Sequence, residues 1–161
     1  MKQEAREKWL RIATLLCVSS MLVGMSTAAV KNMAVVISAG SKVSDVPLAD
    51  LVKLCKGTQK SWADGKNFIL VIKNPEAPEM HVVVQKLFGD AGAEVKAAIA
   101  KLNESRVIVK IVGSDEELLR IVEATPGALG IIDVYSINSS VKVLRVDGKL
   151  PFDAGYTFKG N

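Results

Sequence analysis

A chain of 161 residues suits one domain of ordinary size. Its formal charge of +4 falls to +2 once Met1–Ala28 are set aside, because they hold four basic and two acidic residues and leave 17 against 15. That balance, with no basic cluster beyond Lys56 and Lys60, excludes the electrostatic footprint of a nucleic-acid binder.

The first 28 residues read as an export leader. Lys2, Arg6, Lys8 and Arg11 form a basic start, "IATLLCVSSMLVGM" is an uncharged apolar run, and Ser26 and Ala28 suit the −3 and −1 cleavage positions. The run is shorter than the roughly 20 residues a membrane-spanning helix needs. The expectation is a periplasmic or secreted protein cut after Ala28, with an uncleaved N-terminal membrane anchor as the alternative. Cys17 follows Leu16 rather than a small residue, which argues against a lipoprotein box. After cleavage only Cys55 remains, so no internal disulfide forms, and its helix position predicts a buried thiol.

Residues 29–161 then form a single domain with one core. Met33–Gly40, "MAVVISAG", is a β-branched buried strand ended by glycine. "SDVPLADLVKLCKG" is a helix with Pro47 in its first turn and Leu48, Leu51, Val52 and Cys55 on one face. "KGTQKSWADGKNF" is a loop that turns at Asp64-Gly65. Asn67–Asn74 is a second buried strand, stopped by Pro75. From Glu76 the spacing of Met80, Val83, Val84, Leu87 and Phe88 is helical, Gly89 and Gly92 interrupt it, and "AEVKAAIAKLNES" is a further helix. Arg106–Val112 is a strand. Gly113–Gly127 is a helix with a Ser114/Glu117 capping box and a Pro126-Gly127 stop. Ala128–Val134 and Val141–Gly148 are strands. Strands alternating with helices, most of them continuous apolar runs, predict an α/β domain with a mainly parallel central sheet flanked by helices.

Four stretches in order, "GTQKSWADG", "KLFGD", "GSDEELLRIVEATPGALGIIDV" and "VKVLRVDGKLPFDAGYTF", resemble one lobe of the periplasmic phosphate-binding component of ABC transporters, in the type II periplasmic-binding-protein superfamily. The resemblance implies a single lobe of a periplasmic-binding-protein-like fold. It also implies that the Trp62 turn is chiefly structural, with Trp62 covering one end of the sheet. The other reading of that turn is a partner surface made of Lys56, Lys60 and Trp62.

In the family, the corresponding lobe brings an arginine and then Ser-Gly-Thr at a helix start, where free N–H groups, hydroxyls and the helix dipole hold an oxyanion. Here "VIKNPEAPEMHVVV" places Lys73 near the arginine position and Ala77, Pro78 and Glu79 where the Ser-Gly-Thr would sit. Ala77 has no hydroxyl, Pro78 has no N–H, and Glu76 and Glu79 add negative charge. Receptors of this kind also have a second lobe, and an open lobe leaves a bound anion wet, worth only about 0.3–1 kcal/mol at a helix end.

The candidate ligand residues are therefore Lys73 and, after the first strand, Ser41 and Lys42, since sheets of this class bind at strand ends. His81 alone makes no metal site. No nucleophile–base or paired-carboxylate set points to catalysis, and no cofactor is expected. Two functions stay open: a substrate-binding-like protein, accessory to inorganic anion uptake or sensing, that takes phosphate or another small anion; or an interaction module that kept the scaffold and lost the ligand. Its partners would be an ABC transporter or membrane complex, or a second copy of the chain.

Overall fold

The computed structural model describes residues 31–89, 93–104, 106 and 108–159; the leader lies outside the described residues. Among these residues seven strands and four α-helices follow in the order β1 (Met33–Ser38), β2 (Asp45–Val46), α1 (Leu48–Cys55), β3 (Ile69–Ile72), α2 (His81–Phe88), α3 (Ala93–Leu102), β4 (Val109–Ile111), α4 (Asp115–Ala124), β5 (Ala128–Asp133), β6 (Val141–Val143) and β7 (Arg145–Val146). Among the described residues no helix is long and apolar enough to cross a membrane.

The main sheet has the order β4-β3-β5-β1-β6. β3 pairs in parallel with both β4 and β5, and β1 pairs antiparallel with both β5 and β6. Four strands thus point one way and β1 alone runs against them, so the sheet is mixed but mainly parallel. The side-chain period of two divides the core. Val35, Ile37, Leu70, Ile72, Leu129 and Ile131 face α1, α2 and α3 on one side. Ala34, Val36, Val71 and Ile132 face α4 on the other, against Leu118, Leu119 and Val122.

Several boundaries move from their sequence positions for local reasons. Pro47 is extended at φ −61° and ψ 138°, so it precedes α1 rather than joining its first turn. The cap comes from far along the chain: the Leu48 N–H donates to Asp147 Oδ1 at 2.9 Å. Pro78–Met80 forms a short 3₁₀ turn, and α2 begins only at His81, which is exposed. The strand expected over Arg106–Val112 contracts to β4 because Asn103 holds its entry. Asn103 Oδ1 accepts from Ile108 N and Val109 N at 2.8 and 3.0 Å, and its Nδ2 donates to the Val109 carbonyl.

The run Val141–Gly148 is not one strand. β6 ends at Val143, and β7 leaves the main sheet to pair in parallel with β2, a strand that the sequence reading placed within the helix lead-in. Cys55 is fully buried, and burial pushes its thiol far above the ordinary range.

Candidate functional site

At the end of the sheet where β3 and β5 finish, four charged side chains meet. Lys73, the first residue after β3, places Nζ 2.6 Å from Asp115 Oδ1 at the start of α4. Ser136, on the 3₁₀ turn after β5, donates its hydroxyl to Asp115 Oδ2 at 2.5 Å. Lys31 Nζ lies 3.2 Å from Asp133 Oδ2, and Asp133 Oδ1 accepts from the Tyr135 N–H. Burial opposes ionisation of Asp115, but Lys73 and Ser136 outweigh it and hold the carboxyl below the usual range. The bond to Asp133 and its charge raise Lys31, with further contributions from Glu79 and Asp115. Two lysines and two carboxylates therefore pair off here, and the charge of Glu79 nearby tips the local balance negative.

The loop after Lys73 offers few donors. Glu76 N donates to Asn74 Oδ1 and Ala77 N to the Asn74 carbonyl, Pro78 has no N–H, and Met80 N donates to the Ala77 carbonyl. Glu76 also pairs with Lys96 at 2.5 Å. A phosphate cradle needs free N–H groups converging on one point, and those of Glu76, Ala77 and Met80 are already spent within the turn.

Ser41 and Lys42 do not join Lys73. Because β1 runs antiparallel, its C-terminal end lies level with the beginnings of β3 and β5, with Ile37 opposite Leu129 and Leu129 opposite Leu70. The three expected ligand residues thus sit at opposite ends of the sheet. The loop donors near Ser41 are also used internally: Ser41 N donates to the Ser38 carbonyl and Val43 N to Ser41 Oγ. Lys142 Nζ donates to the Ser41 carbonyl at 2.5 Å, and Lys42 is exposed.

The expected partner set is divided too. Trp62 is 9% exposed, stacks edge-on against Phe68 at 5.6 Å between centroids, and donates its indole N–H to the Gly127 carbonyl at 2.8 Å. Gly127 has φ 88°, and a Cβ there would lie 2.3 Å from the Asn67 carbonyl oxygen, so only glycine lets the loop close on β5. Trp62 borders a pocket of about 250 Å³ with Ser41, whereas Lys56 and Lys60 line a separate cavity of about 460 Å³. The sequence does not single out Asp115 as a member of the strand-end cluster, because a carboxylate beside Ser114 at a helix start repels an external anion and nothing local links it to Lys73. Asp133 carried a weak signal, a lone carboxylate ending the apolar run "ALGIID".

Among solved structures, the fold matches that of an ABC-type phosphate transport receptor from Vibrio cholerae, with a TM-score of 0.63 and 17% identity over 81% of this chain and 54% of that one. It also matches PstS from Borrelia burgdorferi, with a TM-score of 0.60 and 18% identity over 81% and 55%. A third match is a phosphate ABC transporter substrate-binding protein with bound phosphate from Clostridium perfringens, at 0.57 and 18% over 73% and 46%. At 17–18% identity the likeness is one of fold, shared with about half of each of these proteins. The chain spans about half the length of these solved proteins. No protein-family model matches the sequence, and no curated protein matches it.

Proposed function

We propose that this chain is an exported, non-catalytic binding-protein lobe that acts as an interaction module in an anion-uptake or anion-sensing assembly, and that it does not capture phosphate by itself. The observation that carries this reading is the Asp115 carboxylate at the strand ends. It accepts from Ser136 and sits 2.6 Å from Lys73, so the strand-end lysine offered to an external anion already has an internal counter-charge. An incoming phosphate has to displace an internal anion from a cluster with an excess of carboxylates, and repulsion between like charges opposes that exchange. Next to Ser136, Tyr135 is 87% exposed, a side chain of the kind that anchors protein contacts. The likeness to phosphate transport proteins supports the uptake or sensing setting, and the basic and apolar leader pattern supports export.

The second reading, a phosphate receptor, draws support from the same likeness and from Lys73 at the end of β3. Calorimetric titration of phosphate into the phosphate-free chain separates the two. At ten times a millimolar Kd, a bound anion adds about 1.4 kcal/mol of stability, which a melting experiment registers. The expected result is no saturable heat and no thermal shift for the wild type, with weak binding gained in Asp115→Ala as Lys73 is released. Saturable wild-type binding that Lys73→Ala abolishes would overturn the proposal. A photo-crosslinker at position 135 in intact cells tests the other half: a discrete protein adduct is expected, and no adduct removes the interaction role.

A further inference from the structure

The cavity of about 460 Å³ lies at the end of the sheet away from Lys73, where β4 begins, and its rim carries Lys56, Lys60, Lys101 and Arg106. Its floor is apolar, formed by Phe88, Leu102 and Ile108. Two of the cations have an ordinary explanation. Lys56 is the C-terminal cap of α1 and Lys101 stands in the last turn of α3, where positive charge complements the helix dipole. Lys60 and Arg106 belong to no helix, and the helix dipoles do not account for them.

Arg106 is pinned in the wall. Its Nη2 donates to the Lys60 carbonyl at 2.6 Å and its Nη1 to Asn67 Oδ1 at 3.4 Å, while Nε is buried with no partner among the described residues. Gly57, at φ 71°, keeps the floor open: a Cβ there would press on Ile108 Cδ1 at 3.1 Å and Leu102 Cδ2 at 3.4 Å. A volume of this size is within the range of small-molecule sites, which combine an apolar lining with a few placed polar groups.

We infer that this cavity binds an amphipathic carboxylate, with the apolar body on Phe88, Leu102 and Ile108 and the charge among the rim cations. An inorganic anion leaves the apolar floor wet, and a neutral hydrocarbon leaves the cations without a counter-charge. Only a molecule with both parts satisfies both surfaces. This inference is independent of the strand-end cluster, which lies across the sheet.

The test uses the full chain, isotope-labelled, with decanoate below its micelle concentration as the probe, and with decanol and inorganic phosphate as controls. Decanoate is expected to bind saturably and shift the amide signals of Gly57, Phe88, Leu102 and Ile108, while neither control saturates. Lys60→Gln combined with Lys101→Gln, two exposed positions, is expected to weaken binding about tenfold without altering the fold. Ala98→Phe, which fills the cavity and keeps every charge, is expected to abolish it. Equal binding of decanol or of phosphate, shifts that map elsewhere, or unchanged affinity in both variants would overturn the inference.

Discussion

Asp115 is the residue on which the functional reading turns, and its ionisation leaves a measurable trace. Burial works against its charge, but the Lys73 ammonium and the Ser136 hydroxyl more than compensate, so its folded pKa lies below the ordinary carboxylate value. A depressed carboxylate contributes stability that is present above about pH 4 and is lost as the pH falls through the lower folded value. Urea melts from pH 6 downward are therefore expected to show the wild type losing stability below about pH 4, and Asp115→Asn losing less over the same interval. Equal acid sensitivity in the two proteins would mean that the ion pair adds nothing. The sequence offered Lys73 as a site residue but not its partner, because 42 positions separate them and only the packing of α4 on the sheet closes that gap.

Some elements end where side chains far apart in sequence allow them to. In α4 the boundary signals are local. Ser114 Oγ accepts from Glu117 N at 3.2 Å, and Glu117 Oε2 reaches back to the Gly113 N–H at 3.0 Å. Ser114→Ala is expected to cost about 1 kcal/mol, or roughly 3–5 °C in Tm, measured by thermal melting. A loss near zero would show that water replaces the cap. α1 behaves differently: its cap is Asp147, held at φ 51° in the β7 turn. The alternating pattern of Val141–Gly148 correctly indicates extended chain. It carries no information about where that chain changes partners, and β2, only two residues long, produces no periodic signal at all.

At the scale of the whole molecule, three helices on one face and one on the other among the described residues share the main sheet, so neither half of the core survives without the strands between them. A protein beginning at Ala29 is expected to unfold in one transition, with near- and far-ultraviolet circular dichroism falling together. Separated transitions would divide the unit proposed for residues 29–161. The sequence by itself determined the fold class, the helices and core strands, and the capping box of α4. All of these follow from local periodicity, turn chemistry and side-chain size. Only the tertiary structure decided that β1 runs against its neighbours, and so that Ser41 and Lys42 stand apart from Lys73. It alone brought Asp115 to Lys73 and gathered Lys60 and Arg106 with Lys56 and Lys101 around one cavity. Strand direction and helix packing are properties of the assembled sheet, and no stretch of neighbouring residues encodes them.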